Sequence, residues 1–226
     1  MRGLIIGCLI GLGVTGFLIG LGLRTSLNRL DYRIIGPRDD ERDRPHPGSR
    51  WWVPVMLGLA WFALAVAFAH EGWQSLILWL PFAAAGAWLA AVDLDVARLP
   101  DKVQGWVALY ALAVGAGLIV TQSAPWLPAV AGALGAGGLF LAVHFASGGA
   151  LGFGDVKLVA ICGWCLGLLG WSPIFLGLIA ACLLGILWAL IRRSRRFAFG
   201  PWLVLGSVIA ACLDGFSQVG ALPFPL

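Results

Sequence analysis

The chain alternates long apolar blocks with short polar joints. Eight blocks stand out: Leu4 to Leu23, Trp52 to Ala69, Ser75 to Val92, Val103 to Thr121, Trp126 to Phe145, Leu158 to Leu169, Ser172 to Ile191 and Trp202 to Leu213. None alternates residue by residue as a half-buried strand does, and most approach the ~20 residues that carry a helix across a bilayer core. The pattern predicts an all-α, polytopic integral membrane protein with about eight transmembrane helices. The block at Leu158 is short, and it crosses only if the bilayer thins or the glycine-rich residues before it reach inward. The first block follows a lone Arg2 and has the look of a signal peptide. It is too long for a cleaved apolar region and meets a basic loop without a small-x-small site, so it reads as a retained helix. The expected division is residues 1–23 as a first transmembrane helix, 24–50 as a short charged loop and 51–226 as a membrane-embedded core.

Charge gives an expected orientation. Fourteen of the fifteen Lys and Arg residues lie in the odd joints: seven in 24–50, then Arg98 and Lys102, Lys157, and Arg192, Arg193, Arg195 and Arg196. The even joints hold none. Positive residues stay on the cytoplasmic side, so the odd joints are expected there and both termini outside. The net charge of +4 is thereby a topology signal and no sign of a nucleic-acid partner. Within the first joint, Leu27, Leu30 and Ile34 recur at helical spacing beside Arg24, Asn28 and Arg33, which suits a short helix on the bilayer surface.

Composition agrees with the block pattern: 60% of residues are hydrophobic and 12% charged, more apolar surface than a soluble domain of this length can hide. The 32 glycines suggest close helix packing, for example through Gly16 and Gly20, four residues apart. Trp51, Trp52, Trp73, Trp106, Trp126, Trp171 and Trp202 fall near block ends and suit an interfacial belt. Cys8, Cys162, Cys165, Cys182 and Cys212 all lie inside apolar blocks and read as small buried hydrophobes; the redox-like spacing of Cys162 and Cys165 reads as packing there. His46, His70 and His144 stand singly and read as loop or interfacial residues.

Two polar segments carry the candidate chemistry. Gly148-Gly149-Ala150-Leu151-Gly152-Phe153-Gly154-Asp155-Val156-Lys157 places a glycine-rich backbone and a carboxylate between apolar blocks. Such backbone is tolerated at membrane depth only where protein or a hydrated cavity surrounds it, so Asp155 belongs at a membrane edge or in a wet cavity. In Asp93-Leu94-Asp95-Val96-Ala97-Arg98-Leu99-Pro100-Asp101, an apolar block ends in three carboxylates, an Arg and a helix-stopping Pro. The same loop parity puts Asp93 and Asp155 on one side of the membrane. Two carboxylates close enough to share a proton can activate a water and polarise a peptide carbonyl, without metal or covalent intermediate. Neither a His-Glu-x-x-His nor a Ser or Cys beside a His is present to suggest another hydrolytic chemistry. Asp95 remains a rival to Asp93, but a helix turns it about 200° away. Asp101 can cap the next helix, Arg98 can pair with Asp95 or Asp101 or stay solvated, and Lys157 suits snorkelling to lipid phosphate.

Together these segments resemble the type IV prepilin peptidases, membrane aspartyl proteases of the Gly-x-Gly-Asp class. The resemblance covers about residues 75–215 and includes Ala198-Phe199-Gly200-Pro201-Trp202, similar to the Phe-Gly-Pro that opens the family's last helix. It implies Asp93 and Asp155 as the catalytic pair, with Pro100, Asp101, Gly152, Gly154, Lys157, Gly200 and Pro201 in the supporting motifs. The implied activity is cleavage of the basic leader of a prepilin, or a type II secretion pseudopilin, at the cytoplasmic face of the bacterial inner membrane. The partners expected are that substrate helix and lipid. Many members also methylate the new N-terminus with S-adenosylmethionine and carry an insert with two Cys-x-x-Cys pairs that bind zinc. Residues 24–50 contain no Cys, so zinc is excluded there, and methyl transfer does not follow from the resemblance as cleavage does. Two other classes remain open: a small transporter using the carboxylates for a cation, and an assembly protein that keeps the fold without activity. The acidic cluster Asp39, Asp40, Glu41 and Asp43 offers either a solvated loop or a dock for a basic leader.

Overall fold

A computed structural model describes residues 2–34, 41, 44–69, 73–192 and 198–221. Every apolar block forms a helix: α1 (Arg2–Asn28), α2 (Trp52–Ala67), α3 (Gln74–Val96), α4 (Asp101–Val120), α5 (Trp126–Ala146), α6 (Phe153–Gly167), α7 (Trp171–Arg192) and α8 (Gly200–Ala221). Among the described residues there is no strand. Six helices, α1, α3, α4, α5, α7 and α8, are long and apolar enough to cross a membrane. The chain is a multi-pass membrane protein. The expected count of eight resolves into these six plus two shorter helices, α2 with 16 residues and α6 with 15. At 1.5 Å per residue these two rise about 24 and 22 Å, short of the ~30 Å apolar core.

Sequence neighbours form three tight hairpins, α1 with α2, α5 with α6 and α7 with α8, while α3 lies against α8, α2 and α4. Small residues set these contacts. A Cβ on Gly163 would lie 2.2 Å from the carbonyl oxygen of Gly132, so only glycine lets α5 and α6 approach this closely. Gly16 and Gly20 face α2, where a side chain would strike Trp61 and Pro54. Leu18, Leu134, Leu183 and Leu190 face outward, as lipid allows.

Several expectations for single residues are corrected. Helix α1 runs past Leu23 to Asn28, because Arg24 and Thr25 end hydrophobicity without ending helical hydrogen bonding. Leu27 is fully buried against Val53, Ala91 and Val92, so no separate helix lies on the bilayer surface. Cys162, Cys165 and Cys212 are buried, but Cys8 and Cys182 are exposed on the apolar exterior. Trp51, Trp52, Trp73, Trp106, Trp126 and Trp171 are exposed, whereas Trp202 packs on Trp188 with ring centroids 5.2 Å apart. His70, Asp39, Asp40, Asp43, Arg193, Arg195 and Arg196 lie outside the described residues.

Candidate active site

The polar ends of α3, α4, α6 and α8 meet at one end of the bundle. Helix α5 stops there because Gly148 and Gly149 take left-handed backbone angles, φ +62 and +86, that other residues rarely adopt. The Gly149 N–H donates to the His144 carbonyl at 2.9 Å and completes the turn. His144 does more than sit at an interface: its Nδ1 lies 2.6 Å from the Leu151 carbonyl, and its ring edge meets Phe153. The chain then enters α6 with Gly152 as the residue before the first turn and Asp155 inside that turn.

Asp93, in the last turn of α3, and Asp155 line one cavity of about 300 Å³, together with Leu99, Asp101, Gly152, Gly154 and Lys157. Both aspartates are buried, 4% and 9% exposed. Asp93 accepts a hydrogen bond from the Gly200 N–H at 2.9 Å. Asp155 Oδ1 is buried without a partner. Helices α6 and α8 therefore begin at the two carboxylates, and the free amides and positive dipole end of a helix start favour negative charge.

Leu99 explains why two glycines stand at those helix starts. Its side chain is buried between them: a Cβ on Gly154 would lie 3.0 Å from Leu99 Cβ, and one on Gly200 would lie 3.3 Å from Leu99 Cδ2 and 2.9 Å from Asp93 Oδ2. Pro100 then takes an extended conformation and precedes α4, and Pro201 sits in the first turn of α8, where its missing N–H costs nothing.

The remaining charges have other partners. Asp101 lies in the first turn of α4 but makes no capping bond; its carboxylate takes Lys157 Nζ at 2.7 Å. Lys157 is thus held across the cavity mouth by Asp101, and not released to snorkel. Asp95 is occupied by Arg33 at 2.8 Å, Arg50 at 3.3 Å and the Tyr32 hydroxyl, with its side chain only 5% exposed. It points away from Asp155, as the helical turn between Asp93 and Asp95 predicts. Its hydrogen bond to Arg33 raises that guanidinium's already high pKa, and burial raises that of the Tyr32 phenol, so the cluster stays charged, with Tyr32 neutral, at physiological pH. Arg98 pairs with Glu41 at 3.5 Å and reaches the Tyr32 carbonyl, in place of Asp95 or Asp101. Glu41 is buried and also accepts the Ile34 N–H, so it is not an open acidic dock.

Sequence reasoning passed over Gln104. It is buried in α4, and its Nε2 donates to the Gly154 carbonyl at 2.8 Å, tying α4 to the start of α6. The available signal was a polar residue one turn after Asp101, at the edge of an otherwise apolar block.

Residues 80–190 match the model of the type IV leader peptidase family. That stretch is one of the type IV leader peptidase family. The chain is 33% identical over 186 residues to a prepilin leader peptidase/N-methyltransferase of Pectobacterium carotovorum subsp. carotovorum, covering 73% of this chain and 63% of that one. With the protein of the same description from Escherichia coli (strain K12) it shares 34% over 135 residues, 54% of this chain and 56% of the other. The chain thus spans about six tenths of the length of these leader peptidase relatives. No solved structure matches significantly.

Proposed function

We propose that this chain is a membrane aspartyl endopeptidase that removes the leader of a type IV prepilin or a related pseudopilin, with Asp93 and Asp155 as its catalytic pair. What carries the reading is that two buried carboxylates from distant segments line one cavity, and among the described residues neither is hydrogen-bonded to a Lys or an Arg. Asp95, the rival, is held by two arginines and a tyrosine. One carboxylate takes a proton from water as that water attacks the scissile carbonyl carbon. The other, protonated, gives its proton to the carbonyl oxygen; as the gem-diol intermediate collapses it takes a proton back from a hydroxyl, while the first carboxyl passes the water's proton to the leaving amine. Neither step calls on a group beyond these side chains and water.

The division into a first helix, a charged loop and a peptidase core belongs to the same proposal, as does a cytoplasmic-facing site in the inner membrane. Arg98 and Lys157 line the cavity of the pair, and Arg33 and Arg50 meet Asp95 two residues from Asp93, so the described basic residues stand where a basic leader would wait. The relatives' description includes methyl transfer, and our proposal covers cleavage alone.

The test is purified protein in detergent with a prepilin-like peptide, followed by mass spectrometry of the products. Asp93→Asn and Asp155→Asn should each abolish cleavage, leaving expression and membrane insertion intact. A transporter or an inactive assembly protein would give no cleavage even from the unaltered chain.

A further inference from the structure

A second groove, of about 490 Å³, opens between α4, α5 and α6. Five small residues line it, Gly105, Ala108 and Ala111 of α4, Ala133 of α5 and Ala160 of α6, and Leu112, Ile161 and Trp164 add larger apolar walls. From Asp101 to Leu112, α4 rises about 16 Å, half the thickness of a bilayer's hydrocarbon. At one end the groove is lined by Asp101 and Lys157, which also line the cavity of the two carboxylates. The two spaces therefore adjoin at the Asp101–Lys157 pair.

Resting on the peptidase reading above, we propose that this groove seats the substrate's own apolar helix, with Gln104 receiving a main-chain N–H of the segment unwound for cleavage. Small side chains along three helices let a fourth helix backbone approach closely. Gln104 lines the same end of the groove, and its Oε1 is buried without a partner, while its Nε2 is committed to Gly154. A peptide bond must leave helical form to be cut, and that frees N–H groups which need acceptors at membrane depth. An acyl chain offers no donor to Gln104. A helix of a second copy offers none either, since its amides are already bonded within the helix. Gln104 thereby links docking to chemistry, because the carbonyl it holds belongs to the residue before Asp155.

The experiment uses the full chain in nanodiscs with a prepilin-like substrate that carries its apolar helix. Ala108→Phe should raise KM about tenfold with kcat changed less than about twofold, the mark of lost uniform binding. Leu183→Phe, on the outward face of α7, should leave both constants unchanged. A photo-crosslinking amino acid at Leu112, in an Asp155→Asn background that keeps the substrate whole, should give an adduct with the substrate's apolar helix. Unchanged KM in Ala108→Phe, or adducts with lipid or with a second copy alone, overturns the assignment. Cleavage by the unaltered chain combined with those results removes the docking site and leaves the peptidase standing; absence of cleavage removes the peptidase, and the adduct still reports docking.

Discussion

Gly200 is the residue where backbone and chemistry meet most closely. Its N–H holds Asp93, and a Cβ there would press on the carboxylate it binds at 2.9 Å. Gly200→Ala should therefore displace Asp93 without removing it. Misplacing a reacting group by about 1 Å costs on the order of 100-fold in rate, so kcat should fall by roughly that factor with KM little changed. Steady-state kinetics on a prepilin-like peptide would check it, and wild-type kcat would mean that this amide does not position the dyad. The glycines of both motifs were legible in the sequence as motif letters. Their reason was not, because it depends on Leu99, which reaches Gly154 and Gly200 from 55 and 101 residues away in the chain.

At the scale of elements, the helices were legible because apolar blocks and helices coincide within a few residues. Their ends were less so. Helix α6 starts at Phe153, five residues before its apolar block, since a glycine-led first turn needs amide geometry and not hydrophobicity. The first joint was misread for a related reason: a pattern of charge says nothing about partners 62 residues distant. Arg33 and Arg50 leave solvent to meet Asp95, and Arg44 donates to the Asp95 carbonyl at 3.2 Å. Residues 24–50 thus fasten α1 and α2 to the end of α3 that carries Asp93. Removing one partner of a buried ion pair leaves charge uncompensated and costs about 3 kcal/mol. Asp95→Asn should lower the thermal midpoint in detergent by several degrees, while the protein that stays folded keeps cleaving. A midpoint equal to wild type would mean the clamp contributes nothing to stability.

Among the described residues, the buried charged side chains Arg33, Glu41, Arg50, Asp93 and Asp155 gather at one end, and the sequence expected that asymmetry from Lys and Arg alone. Reporters fused after Arg44, Arg98 or Arg195 should read as cytoplasmic, and those after Gly72, Ser123 or Ser217 as external. An external reading after Arg98 would put the dyad on the far side from a basic leader and overturn the orientation. Six long helices satisfy the membrane by length, while α2 and α6 do not. The short α6 is the one that carries Asp155. The carboxylate cavity lies at the N-terminal end of that helix, beside the end of α3.

The fastened first joint also decides how the protein meets a protease. Trypsin must draw an arginine side chain into its own pocket and an extended backbone into its cleft. By sequence, residues 24–50 hold six such sites, since the seventh arginine, Arg44, precedes Pro45. Arg29 is exposed, but the side chains of Arg33 and Arg50 are 5% and 2% exposed and held by Asp95. Membranes opened on the basic face should be nicked after Arg29, with the bonds after Arg33 and Arg50 surviving until the chain unfolds. In Asp95→Asn those two bonds should be cut at a rate approaching that at Arg29, so a gel band pattern reports whether the clamp is closed.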